Sequence, residues 1–246
     1  MSCPALPNTA NSSNSGGITI FTANSLKAIA MALMFLDHFA VVFLSNEPLL
    51  RNLLRFAGRI VAPVICFFIV EGYYHTSSKR KYTLRLFALA LVSHIPFNIT
   101  FGHSFSPFEA TSVIWALALG LVALAALKSS LNIVLRLAIL AACCAAAYTA
   151  NWNFVAVLWI AALGLFRGNF KRQMLAFCAV GILFHLSIVY LRFGLAHWYQ
   201  LGIFLAIPLL AMYNGKLGKK SKARAYSFYI FYPAHLLLLY FWNSLV

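Results

Sequence analysis

Acidic side chains are scarce in this sequence, with four Asp and Glu against 19 Lys and Arg in 246 residues. Charge of either sign is scarce too, at 9% of residues, while 63% are hydrophobic. Soluble domains run at roughly 25% charged and 45–50% apolar. One water-soluble core cannot hide that much apolar surface, so lipid must be the solvent for much of the chain. In a soluble protein the basic surplus would suggest nucleic acid. Here the basic residues sit in short loops between apolar segments, where they set topology and can meet anionic lipid or an anionic cosubstrate. There is no CxxC. Of Cys3, Cys66, Cys143, Cys144 and Cys178, four lie inside apolar segments, and they read as small apolar fillers rather than a disulfide framework or a metal site. The first 24 residues hold no charged side chain. They therefore lack the basic start of a signal peptide. Rich in Ser, Asn and Gly, residues 1–24 are expected to form a disordered cytoplasmic tail, with the first helix acting as an uncleaved signal-anchor.

What is present is a series of apolar segments, near residues 25–44, 53–74, 82–100, 111–127, 133–150, 154–166, 174–191, 197–213 and 226–245. A transmembrane helix needs roughly 20 residues. The expectation is an all-α, polytopic transmembrane helical bundle of about nine spans. Segment 154–166 is short enough to be a tilted partner, a half-helix or a re-entrant piece, which would make eight. The loops support nine. Lys79, Arg80, Lys81, Arg85, Lys128, Arg136, Arg167, Lys171, Arg172, Lys216, Lys219, Lys220, Lys222 and Arg224 flank even-numbered loops, whereas odd-numbered loops hold Arg51 and Arg192. The positive-inside rule then puts the N-terminus in the cytoplasm and the C-terminus outside.

Ionisable groups inside spans are costly and usually face a cavity or a partner. They gather in four segments: Lys27, Asp37 and His38 in the first; Arg55, Arg59 and Glu71 in the second; His94 in the third; His235 in the last. Lys27 and His38 are eleven positions apart. That is about 1,100° of helical rotation, within about 20° of one face, and about 16 Å along the axis. One stripe thus carries Lys27 at the cytoplasmic end and His38 near mid-membrane. The second segment runs the other way, which brings Glu71 to the level of Lys27 and Arg59 to that of His38. His94 and His235 also fall near mid-depth. The pattern predicts a cavity with three His and one Arg at one level, entered past a Lys/Glu pair. Asp37 is expected to meet Arg59 or Arg55 on another helix, because helix neighbours point about 100° apart. Arg51 and Arg55 can also snorkel to the outer interface, and His185 reads as a helix-to-helix hydrogen-bond partner. Pro63, Pro96, Pro208 and Pro233 read as kinks.

The string LKAIAMALMFLDH, followed by RFAGRIVAPVICFFIVEGYYHT, RKYTLRLFALALVSHIPFN and the C-terminal FYIFYPAHLLLLY, resembles the TraX family. The resemblance runs from Leu26 to about Phe241. Between residues 110 and 213 it is mainly one of hydropathy. It implies a bacterial inner-membrane N-acetyltransferase that uses acetyl-CoA as cosubstrate, with no metal, and acts on the N-terminus of a pilin. Residues 25–246 would then be a membrane-embedded acyltransferase domain. The K-x10-H spacing of Lys27 and His38 is also similar to the R-x10-H pattern of membrane sugar O-acetyltransferases, with Lys supplying a cation but no bidentate fork.

Acyl transfer from a thioester needs a base, a donor for the oxyanion and a place for an anionic cosubstrate. On the combined reading, His38 is the base, with Asp37 and Arg59 completing the catalytic group. Lys27, Glu71, Lys79, Arg80 and Lys81 form the cosubstrate entrance. His94, His235, Arg55 and Tyr232 line the acceptor's cavity. The acceptor is a pilin-like amine or, alternatively, a glycan or lipid head group. A proton-coupled transporter is the competing class, since intramembrane Asp, Glu and His can form proton relays. Against it, no internal repeat is visible.

Overall fold

The computed structural model describes residues 19–219 and 222–245. Residues 1–18 of the uncharged tail, together with Lys220, lie outside the described residues. Among the described residues no strand forms, and the architecture is an all-α bundle. Helix α1 covers Ala23–Phe43, α2 Pro48–Gly58, α3 Val61–His75, α4 Lys79–Phe101, α5 Val113–Leu127, α6 Ile133–Ala146 and α7 Asn153–Leu165. Then come α8 (Phe170–Val180), a π turn (Gly181–Leu186) and α9 (Ser187–Phe193). A 3-10 stretch (Gly194–Leu205), α10 (Ala206–Ala211) and α11 (Lys222–Asn243) complete the order.

All nine apolar segments are helical. Among the described residues four helical stretches, Ala23–Phe43, Pro48–His75, Lys79–Phe101 and Phe170–Ala211, are long and apolar enough to cross a membrane. Helices α5, α6 and α7 are shorter, at 15, 14 and 13 residues. Large apolar side chains point outward where lipid can cover them, including Leu91, Val134, Leu191 and Leu195.

Local chemistry explains the breaks. Thr22 caps α1 by accepting from the Ser25 amide at 3.2 Å, and Ser78 does the same for α4 with Lys81 at 3.3 Å. The second segment is not one straight helix. Pro63 has no N–H to give the Arg59 carbonyl, and the helix interrupts at Arg59–Ile60 between α2 and α3. Gly194, at φ +59 and ψ −143, reverses the chain between α9 and the 3-10 stretch, a conformation that a Cβ would oppose. The arms then pack together, and His185 Nε2 meets Gln200 Oε1 at 3.2 Å, in keeping with a helix-to-helix role.

Helix α5 is the packing centre, contacting α3, α4, α6 and α7. Its seam with α7 depends on two glycines. A Cβ on Gly120 would lie 2.6 Å from Ile160, and one on Gly164 would lie 2.4 Å from Leu124. Small residues let the backbones approach, as membrane helix pairs require. On the other flank α1 packs against α2, α3 and α11, and α11 packs against α4. Two further approaches fix α2. A Cβ on Gly58 would meet Asp37 Cβ at 2.5 Å, and one on Gly202 would meet the Phe56 carbonyl oxygen at 1.9 Å. Helix α2 is thus held between α1 and the 3-10 stretch, which aims Arg55 and Arg59 at α1. At the start of the described residues, within the segment expected to be a disordered tail, the Ile20 and Phe21 amides both donate to the Met212 carbonyl at 3.0 Å.

Candidate functional site

The α1–α2 and α1–α11 contacts bring together four buried polar side chains, Asp37, His38, Arg59 and His235. Arg59 Nη2 bonds Asp37 Oδ2, and Arg55 Nε lies 3.7 Å from Asp37 Oδ1. Both arginines also stack on aromatics, Arg55 over Tyr199 at 4.4 Å and Arg59 over Trp152 at 5.1 Å. His38 and His235 face each other with rings 6° from parallel, and His38 Nδ1 is 2.8 Å from His235 Nε2. His235 Nδ1 is 2.8 Å from the Phe231 carbonyl.

That last contact sets the protons. A carbonyl can only accept, so His235 carries its hydrogen on Nδ1 and presents the Nε2 lone pair. His38 Nδ1 must then be the donor between the rings. The His38 Nε2 lone pair is left bare, without a hydrogen bond among the described residues. Two nitrogens that share a proton at 2.8 Å also leave no room for a metal ion between them.

His38 lies where two cavities meet. The larger, about 910 Å³, runs from Lys27, Glu71, His75, Arg85 and Lys219 at one end to His38 and Arg59 at the other. The smaller, about 440 Å³, opens at the opposite end of α1 and α4, by Val41, Phe101 and His103. Asp37, His38, Arg59 and Asn151 line both. Such a layer can accept a reactant from each end and move a proton between them.

A match to the model described as TraX protein covers residues 22–242. The chain belongs to the TraX family. A curated relative, the probable fimbrial assembly protein FimC, serogroup H1, of Dichelobacter nodosus, is 33% identical over 232 residues, which is 89% of this chain and 94% of that protein. No solved structure matches. Membership and the apolar helices together make this TraX-family chain a membrane protein.

The structure brings most of the sequence-selected residues together and separates others. Asp37, His38 and Arg59 meet at the junction, with His235 behind His38. Lys27 lines the larger cavity eleven positions up the α1 stripe, with Nζ 5.3 Å from the centre of the Phe68 ring. Glu71 lines the same end, but it is gripped by Arg167, Nε to Oε1 at 2.8 Å and Nη2 to Oε2 at 3.3 Å, with His75 at 3.7 Å. Tyr232 lines the larger cavity and Arg55 the smaller.

Two expectations about position need correcting. His94 lines neither cavity. Its Nε2 bonds the Phe105 carbonyl at 2.9 Å, tying α4 to the following loop. Helical phase puts it on a different face of α4 from Leu86 and Leu89, which do line the cavity. Lys79, Arg80 and Lys81 sit exposed at the start of α4 outside the cavity lining, and Lys79 stacks on Tyr73 at 4.5 Å. One turn further along, Arg85 and Tyr82 reach the cavity instead.

Sequence reasoning also missed Asn151, Trp152 and Lys219 as cavity-lining residues. Trp152 adopts φ +67 and Asn153 φ +35, a left-handed pair rare for so bulky a residue as Trp. The ring is held between the Arg59 guanidinium and His185, the latter at 4.9 Å. The polar NWN interruption between two apolar segments is the signal that could have found Asn151 and Trp152.

Proposed function

We propose that the protein is an integral membrane acetyltransferase, moving an acetyl group from cytosolic acetyl-CoA to an acceptor on the other side of the junction. The observation that carries this reading is the bare His38 Nε2 at the meeting point of two cavities, with its tautomer fixed by His235. In the reaction His38 takes the proton of the acceptor's amine or hydroxyl as that group attacks the thioester carbon. A C–N or C–O bond forms, the C–S bond breaks, and the proton passes from His38 to the departing thiolate. Arg59, steadied by Asp37, supplies positive charge for the developing oxyanion. Lys27, Arg85 and Lys219 at the far end of the 910 Å³ cavity offer cations for phosphates, and apolar walls including Met31, Met34 and Ile65 suit a pantetheine arm. The fit supports an inner-membrane enzyme with its Lys27 end facing the cytosol.

The name of the Dichelobacter nodosus relative favours a pilin-like acceptor acetylated at its N-terminal amine, and hence a role in pilus assembly. The K-x10-H spacing favours the second reading, O-acetylation of a glycan or lipid head group. Incubating membranes with labelled acetyl-CoA, and finding which molecule gains label, separates the two. In that assay His38→Ala lowers transfer by about 10²–10⁴-fold, the range of general acid–base catalysis, with expression and insertion unchanged. Full transfer by His38→Ala would remove His38 from the mechanism. Transport without thioester cleavage would replace the enzyme with a carrier.

A further inference from the structure

The smaller cavity has its own chemistry. Two guanidinium groups, Arg55 and Arg59, line it, and among the described residues Asp37 is the one acid on its wall. Glu109, in the loop beside it, is exposed and does not line the cavity. Positive charge is therefore in surplus on this wall, where Arg59 is buried, a costly state without a counter-ion. Polar atoms on the same wall are buried without a hydrogen-bond partner: Asp37 Oδ1, Arg55 Nε, Arg59 Nε and Thr111 Oγ1. Arg59 is only 7% exposed and Thr111 only 5%. The 3.7 Å between Arg55 Nε and Asp37 Oδ1 is too long for a hydrogen bond. Stacking of Arg55 on Tyr199 occupies the guanidinium face and leaves its in-plane N–H donors free. Those donors form the fork that suits a carboxylate or a phosphate.

Resting on the acetyl-transfer reading, we propose that this compartment is the acceptor's site and that it selects an acceptor bearing an anionic group, carboxylate or phosphate, a few bonds from the nucleophile. The nucleophile reaches His38, and the anion meets Arg55 with help from the Thr111 hydroxyl. A plain alkylamine has nothing to offer the surplus guanidinium.

The test is binding of matched probes to the full-length protein in detergent: β-alanine, 2-aminoethylphosphonate and n-propylamine, each with and without coenzyme A. At least one anionic amine binds at least tenfold more tightly than n-propylamine. Arg55→Gln erases that preference, and Thr111→Val, which keeps the shape of the side chain, weakens it by about two- to fivefold. Coenzyme A, held in the other cavity, does not displace the probe. Preference for the phosphonate points to a phosphorylated glycan or lipid, and preference for the carboxylate to an acidic peptide or sugar. The proposal is overturned if no anionic amine binds, if n-propylamine binds equally well, if neither variant matters, or if coenzyme A competes. Probe binding by a protein that transfers no label from acetyl-CoA in the membrane assay above would sink the acetyl-transfer reading and leave the anion subsite standing.

Discussion

The two ends of the larger cavity hold similar residue types under opposite conditions. At the junction Asp37, His38 and Arg59 are each 7–8% exposed, and every one is tied to a residue from another helix. At the mouth Lys27 and Glu71 are half-buried and Arg85, His75 and Lys219 are exposed. Buried charges are intolerant of losing a partner, because desolvation is left uncompensated. Exposed charges are screened, and each is worth little alone. The junction is therefore expected to be a rigid constellation and the mouth a diffuse field of cations.

The sharpest way to break that contrast is Arg59→Gln. It strips the buried Asp37 of its hydrogen-bonded partner and leaves Arg55 at 3.7 Å, so a loss of about 3–5 kcal/mol is expected, read as a fall in the thermal unfolding midpoint in detergent. A variant as stable as the parent would mean that the junction is as tolerant as the mouth. Next comes His235→Phe, which removes the acceptor that fixes His38's tautomer. Turnover should fall by about a hundredfold, the low end of acid–base effects, with the KM for acetyl-CoA unchanged. His235→Gln, whose carbonyl can still accept from His38 Nδ1, should recover part of the rate. Equal loss in both variants would reduce His235 to packing. At the mouth, Arg85→Gln should raise the KM for acetyl-CoA by about three- to tenfold and leave kcat alone, corresponding to about 1 kcal/mol from one partly screened cation. The smallest effect is expected at Lys79→Ala, outside the cavity lining, with less than a twofold change in either constant. A larger change there would move the cosubstrate entrance back to the start of α4.

Much of this was legible before any coordinates. Helical phase put Lys27 and His38 on one stripe, and both line one cavity. The antiparallel order of the first two segments offered Arg59 or Arg55 as the partner of Asp37, and Arg59 makes the bond. His235 was placed at the right depth, but its role was not visible. A contact between positions 38 and 235 depends on how α11 packs against α1, and the Phe231 carbonyl that sets the protons is a backbone atom with no signature in the sequence. His94 shows the limit of arguing from depth alone, since it shares the level but faces away. Of the residues read as the entrance, Lys27 and Glu71 line the cavity and Lys79, Arg80 and Lys81 do not, for a related reason. Lys79, Arg80 and Lys81 were chosen for being a cluster, yet a cluster at a helix start points in all directions, and it is Tyr82 and Arg85, further along the helix, that line the cavity.

The amino-acid sequence by itself determined an apolar helical bundle, the breaks at Pro63 and Gly194, and which costly groups must find partners. Those follow from local rules, namely the price of charge in lipid, a missing N–H and the conformations open to glycine. Only the tertiary structure decided which partners they found and how the two cavities meet at His38. These depend on side chains from distant helices converging, and on close approaches such as Gly58 to Asp37 and Gly202 to Phe56 that exist only once the helices are packed.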